Sequence, residues 1–190
     1  MSIDISTHTG DFTSLNGDYD LDAAHSSLEF VARHAMITKV RGTFDDFTAT
    51  AHIDGANPAE SSVDVEIKAD SIDTRSDDRD AHLKSADFFD VEKYPTLKFV
   101  STKVTVTATN EIEITGDFTI KDVTRSLSIP FEFTGSATDP FGNERVGFTG
   151  EVDINRKDFG LTWNAALEAG GVLVSDKIKL QLEISAIKRA

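Results

Sequence analysis

Apolar and polar residues alternate with a period of two along most of the chain, and six segments show it without interruption. "SLEFVARH" sets Leu28, Phe30, Ala32 and His34 against Glu29, Val31 and Arg33. "SVDVEIKAD" sets Val63, Val65, Ile67 and Ala69 against Asp64, Glu66 and Lys68. "EIEITGDFTI" gives Ile112, Ile114, Phe118 and Ile120, with Gly116 in the same register. "SLSIPFEF" gives Leu127, Ile129, Phe131 and Phe133. "RVGFTGEVDI" gives Val146, Phe148, Val152 and Ile154, with Gly150 in register, and "KIKLQLEISAI" gives Ile178, Leu180, Leu182, Ile184 and Ala186. Strict alternation marks strands with one apolar and one solvated face.

Two further segments, "GTFDDFTATAHI" and "TLKFVSTKVTVTA", read as strands. In the first, Phe44 shares a face with Phe47, Ala49, Ala51 and Ile53 only if one extra residue sits at Asp45–Asp46, which implies a β-bulge. Turn signals at 54–58, 108–111, 139–144 and 168–171 separate the runs with the spacing of successive hairpins. One-sided strands with few helices to cover them must bury their apolar faces against each other. About eight such strands suit a closed antiparallel barrel, whose interior holds side chains or one small ligand. The inward glycines Gly116 and Gly150 either open room there or permit a bend. Residues 1–16 are polar and without period and read as a flexible tail, leaving 17–190 as the barrel domain.

"SDDRDAHLKSADFFDVEKYP" at 76–95 breaks the alternation. Ser76 is a candidate N-cap, acids crowd the first turn where they suit the helix dipole, and Pro95 follows the end. The segment reads as an amphipathic helix over a barrel mouth, with Phe88, Phe89 and Tyr94 as the plug. Asp78 and His82, one turn apart, allow an Asp–His pair. A hydrolase would also need an activated nucleophile on a strained turn, and no G-x-S-x-G occurs.

Composition narrows the chemistry further. Thirty-three acids against 19 bases give a net charge of −14, a field that repels phosphate backbones, so nucleic acid is not an expected partner. With no cysteine, a disulfide framework, a thiolate metal site and a cysteine nucleophile are all excluded. None of the five histidines lies at a tight metal-ligand spacing, so no metal or cofactor is expected. The amino terminus has neither the basic start nor the apolar run of an export signal, and no apolar run would span a bilayer; the expected location is cytoplasmic. What remains is 13 phenylalanines, most of them on inward rows. A barrel lined with Phe and small residues and without catalytic groups reads as a pocket for an apolar ligand.

The segments also carry a resemblance. "DAAHSSLEFVARHAMITKVRGTFDDF" at 22–47, with its H-S, F-x-V/A-x-H and V-x-G-x-F elements, resembles the opening of the YceI-like family. "SIDTRSDDRDAHLKSADFFDVEKYPTLKF" at 71–99 resembles that family's most recognisable signature. "GDFTIKDVTRSLSIPFEF", "RKDFGLTWN" and "EAGGVLVSDKIKLQLE" match later family segments, so the resemblance covers nearly all of the chain after the tail.

The resemblance implies a lipocalin-like, all-β fold: an extended antiparallel barrel with one or two short helices at an end. It also implies binding, carriage or storage of a polyisoprenoid lipid, such as an isoprenoid quinone or polyprenyl phosphate, rather than turnover. Because barrel relatives often pair, a homodimer is expected. The wall is expected to include Phe30, Phe44, Phe47, Ile67, Phe99, Phe118, Phe131 and Phe148, with Phe88, Phe89 and Trp163 lining or covering an end. His34, Arg41 and His82 are candidates for meeting a polar headgroup. Two other readings stay open: an enzyme using His34 or His82 as acid–base, and a filled β-sandwich interaction module.

Overall fold

The alternating segments form the strands they predict. The computed structural model describes residues 11–190, with strands β1 (Asn16–Leu21), β2 (Ser27–His34), β3 (Thr38–Phe44), β4 (Phe47–Asp54), β5 (Ser62–Lys68) and β6 (Ile72–Asp73). Helix α1 (Asp77–Lys84) follows, then β7 (Thr96–Ala108), β8 (Glu111–Ile120), β9 (Val123–Thr138), β10 (Glu144–Asn155) and β11 (Lys177–Lys188). The strands β1-β4-β5-β7-β8-β9-β10-β11 pair in that order, all antiparallel, and β11 pairs back to β1. This ring is an eight-stranded closed barrel, and closure removes the exposed edges that an open sheet would present. The lipocalin-like fold expected from the sequence is therefore the observed one.

Two strand positions in the ring are each built from two segments. Along β11, Leu21 of β1 pairs with Ala186, and further on Ser27 of β2 pairs with Glu183. On the other side β1 pairs with β4 and β2 with β3. Residues 16–34 and 38–54 thus form one long hairpin whose ladder stops at Asp20–Thr50 and resumes at Leu28–Phe44. The short 3-10 turn Ala23–His25 occupies the interruption.

The β-bulge expected at Asp45–Asp46 is instead a break between strands. The Asp45 N–H donates to the Ser71 carbonyl at 3.2 Å, and the Asp46 carbonyl accepts from the Lys68 N–H at 2.9 Å. These bonds turn the chain out of both ladders while keeping Phe44 and Phe47 in one core cluster.

The expected tail also needs correcting within the described part. Residues 1–10 lie outside the described residues, but 11–16 are docked rather than loose. The Asp11 carboxylate accepts from the Thr13 N–H and caps a single 3-10 turn, Phe12–Ser14. Phe12, only 2% exposed, packs into the barrel end. Strand β1 then starts at Asn16.

Helix α1 starts as expected, with the Ser76 hydroxyl accepting from the Arg79 N–H. It ends sooner: Ser85 is its C-cap, and Phe88 and Phe89 lie in the turns beyond. The charges of its first turn are structural. The Asp80 carboxylate accepts from the N–H and hydroxyl of buried Thr74, while Arg79 donates to the same hydroxyl at 2.8 Å and to the Thr74 carbonyl at 2.6 Å. This clamp fixes the helix to the chain that leads into it. The apolar face expected of α1 is reduced to half-buried Leu83, and none of its residues is fully buried.

The core divides into two clusters. One end holds Phe12, Leu15, Tyr19, Ile53, Phe133 and Val146. The other includes Phe44, Phe47, Ile67, Leu97, Phe118, Phe159 and Leu161, with Leu83, Phe89 and Val91 packed on it from the helical segment. Ile114 and Phe131 touch both.

Candidate functional site

Between the two clusters lies a cavity of about 210 Å³. Its wall is supplied by the inward rows of the barrel strands, including Phe30, Phe44, Ile67, Phe99, Phe118, Phe131 and Phe148. A cavity near ~150 Å³ lined by Leu, Ile and Phe already holds a benzene-sized molecule, whereas drug-sized pockets start near ~300 Å³. The lumen as it stands lies between those sizes, and a long chain needs a plug or a wall segment to give way.

Glycines keep the lumen from filling. A Cβ on Gly42 would fall 2.3 Å from the Phe30 ring, one on Gly116 2.5 Å from Phe99, and one on Gly150 2.5 Å from Phe131. Each phenylalanine ring therefore occupies the space that a side chain on a glycine of the adjoining strand would need. Room and ring are linked: the glycine withdraws a side chain and the ring takes its place.

The polar residues that border the cavity are mostly engaged elsewhere. Glu29 accepts from Arg41 at 2.9 Å, the His52 Nδ1 pairs with Asp18 at 2.8 Å, and the Ser61 hydroxyl accepts from the Asp54 N–H at 2.9 Å. Burial, and secondarily the Glu144 carboxylate, push the phenol of Tyr19 above its ordinary value. Among the described residues no group of three or more His, Asp or Glu is arranged to hold a metal ion. No helix among them is long and apolar enough to cross a membrane.

Seven of the expected wall residues border the lumen; Phe47 does not, lying in the core cluster beyond it. The headgroup candidates fall away from the lumen. His34 is exposed at the far end of β2, where it bridges to Val174, because β2 runs on past the part of the barrel that would cover its inward row. Arg41 points outward and is shared by Glu29 and Gln181. His82 pairs through Nε2 with Asp87 at 2.9 Å and stands edge-on to Trp163 and Phe88, with ring centroids at 4.6 and 5.1 Å. These three rings form their own cluster outside the cavity lining, while Phe89 alone of the expected plug reaches the barrel core, edge-on to Phe44. Tyr94 is half-buried with the Lys93 ammonium over its ring.

Sequence reasoning missed Phe12, Tyr19 and Leu21 on the lining. The signal was present but weak: a lone aromatic in a polar stretch, then two apolar residues at spacing two. It also missed Arg156, which is 3% exposed and donates to the carbonyls of Ser175, Leu161 and Trp163 at 2.9, 2.5 and 2.9 Å. That single guanidinium holds the segment 161–175 across the barrel end. Burial lowers its pKa, the nearby Asp176 partly opposing this.

The ring is a closed antiparallel barrel with an apolar lumen, and among the described residues the charged groups that border it are paired. The particular family is shown by sequence: the YceI-like domain profile matches residues 19–186, and the chain belongs to that family. It is 39% identical over 150 residues to a UPF0312 protein of Pseudomonas savastanoi pv. phaseolicola, covering 78% of each chain. A crystal structure of the Campylobacter jejuni YCEI protein superposes with a TM-score of 0.71 at 32% identity, over 83% of this chain and 90% of that one. A polyisoprenoid binding domain from Saccharophagus degradans shares the fold at 13% identity, with a TM-score of 0.68 over 90% of this chain and 98% of that one.

Proposed function

We propose that the protein binds a long-chain polyisoprenoid lipid in the barrel lumen and carries or stores it without chemical change. The observation that carries this reading is the continuous apolar lining between the two core clusters, bordered by charged groups that already have partners. Such a surface gains free energy by removing an apolar chain from water, about 25 cal/mol per Å², and offers nothing to activate a bond. The polyisoprenoid-binding domain of Saccharophagus degradans, with the same fold, supports the ligand class. Between the two headgroups considered, a neutral quinone suits this chain better than a polyprenyl phosphate. The net charge of −14 repels phosphate, and Arg41 is turned outward onto Glu29.

Room for a long chain comes from two places: the Phe12 plug and the interruption of the ladder between Asp20–Thr50 and Leu28–Phe44, beside which Leu21, Leu28, Phe44 and Ala49 line the cavity. Lipid extraction and native mass spectrometry of the purified protein test the proposal. A protein that arrives empty and takes up neither a quinone nor a polyprenol would sink it. Phe118→Glu places a charge on the wall and is expected to abolish uptake; unaltered uptake would remove Phe118 from the site.

A further inference from the structure

The hairpin that joins β2 to β3 carries its apolar residues where water meets them. It runs past the last β11 pair, Lys179–Val31, and turns at Ala35–Ile37. Within this turn Met36 is 57% exposed and Ile37 77%. The segment beside it adds to the patch. The Ala35 N–H donates to the Leu173 carbonyl at 2.7 Å and His34 bridges to Val174, which brings exposed Val172 alongside the turn. Three of the six large apolar side chains exposed among the described residues therefore gather at this tip. Single exposed apolar residues are ordinary, but a contiguous group marks a surface that meets something apolar. Turn formation does not account for it. Ala35 and Met36 both have left-handed backbone, at φ +50° and +61°, where glycine or asparagine is the favoured residue. A methionine there strains the turn and exposes a large apolar side chain as well.

The flanking charge indicates what covers it. Arg33 and Lys39 are directly opposed across the hairpin, both exposed, and neither forms an ion pair among the described residues. Like charges set opposite one another weaken a strand pair, so the fold itself does not call for them. Glu168 is the one acid between 164 and 175. We propose that this tip docks on an anionic lipid bilayer, with Met36 and Ile37 entering the interface while Arg33 and Lys39 meet the lipid phosphates. The net charge of −14 opposes approach from a distance. At contact the tip's own cations decide, because charges beyond about 8 Å are largely screened at physiological ionic strength. A second copy of this chain suits the patch less, since two such tips would set four unpaired cations against one another. From His34 at the base of the tip to Phe30 on the lumen wall is about 13 Å of strand, so docking brings the lumen close to the bilayer.

Docking does not depend on the lumen reading, which supplies only the reason to visit a bilayer, and the experiment keeps the two apart. The protein is sedimented with vesicles of phosphatidylglycerol and phosphatidylcholine, and with vesicles of phosphatidylcholine alone. Uptake of an apolar dye is measured separately, without vesicles. The parent is expected to bind the anionic vesicles. Ile37→Ser should weaken that binding by about tenfold or more, the worth of one buried isoleucine. Arg33→Gln and Lys39→Gln should each weaken it about fivefold and leave binding to phosphatidylcholine alone unchanged. Dye uptake should hold and the melting temperature should not fall in any of the three, since all lie on the surface outside the cavity lining. A parent that stays in solution beside anionic vesicles, or an Ile37→Ser variant that binds them as well as the parent, would overturn the proposal. So would the loss of a dimer on Ile37→Ser in sedimentation without vesicles, which would give the patch to a second copy. A protein that takes up dye but ignores vesicles loses the docking and keeps the lumen reading; one that docks but takes up no dye does the reverse.

Discussion

Phe30 and Gly42 face each other across β2 and β3, and the ring occupies the space where a side chain on Gly42 would begin. The same relation joins Phe131 to Gly150 across β9 and β10. These pairs help a barrel so rich in phenylalanine keep a lumen, since each ring fills space that a neighbouring side chain would otherwise take. The inward glycines, ambiguous in sequence between space and bend, act through the ring that covers them.

Gly150→Ala therefore has an expected sign. The three atoms nearest the new methyl all belong to the Phe131 ring, which has the lumen to move into. The loss of stability is expected near the low end of the ~1–3 kcal/mol typical of overpacking, while uptake of an apolar dye falls because the ring narrows the cavity. Gly116→Ala is the contrast, since its methyl would also meet the Val100 carbonyl oxygen at 2.6 Å, and backbone does not yield as a ring does. Thermal melts and dye titration of the two variants decide the matter. Unchanged dye uptake by Gly150→Ala would mean that the Phe131 ring finds room elsewhere.

Arg156 makes a stability prediction. Replacing it with Met leaves the carbonyls of Leu161, Trp163 and Ser175 without their donor, at an expected cost of about 3 kcal/mol or more. Lysine is not expected to rescue the variant, because one ammonium cannot reproduce the planar fork that serves these carbonyls. Hydrogen exchange is the informative measurement: protection should fall first in residues 161–175, and a uniform loss across the barrel would contradict the local role.

Acid sensitivity follows from Arg145, which bonds both Asp22 and Asp139, at 2.5 and 2.8 Å. Its guanidinium holds both carboxyls below their ordinary range, with His25 helping at Asp22 and Asn143 at Asp139. Folded values below the unfolded ~3.9 mean that the unfolded chain binds more protons in that window. The stabilisation is therefore complete above about pH 4 and is lost as the pH falls further through the folded values. In Arg145→Met the melting temperature should be lower at neutral pH and should decline less steeply from pH 4 to pH 2. Parallel declines would show that other carboxylates carry the acid transition.

Most of the barrel was legible because a strand with one wet face writes its orientation into every second residue. The alternating rows from Leu28 to Ala186 placed seven wall residues on the lumen. Alternation does not say where a strand leaves the barrel, so His34 stayed in the inward row on paper while it lies exposed in the fold. Strand β1, "NGDYDL", was hidden because Tyr19 and Leu21 are too few to establish a period. Arg156 was illegible for a different reason: its partners are backbone carbonyls, which any sequence supplies. The His82–Phe88–Trp163 cluster joins residues about 80 positions apart through rings alone, a relation that no local pattern encodes.

Phe12 gives the last test, of what limits the lumen. It lies at the barrel end, edge-on to Phe148 with centroids 6.2 Å apart, and its N–H donates to the Asn110 side chain. Phe12→Ala removes a ring that both fills the end cluster and borders the cavity, so the expected loss is about 3–5 kcal/mol in the ligand-free protein. Part of that loss should be recovered on adding a long isoprenoid, because the vacated space is continuous with the lumen and a ligand that fills it stabilises the folded state by mass action. The variant should thus show a larger ligand-induced rise in melting temperature than the parent, and the excess should grow with chain length. An equal rise for short and long chains would place the limit on ligand length elsewhere, at the interrupted ladder beside Leu21 and Ala49.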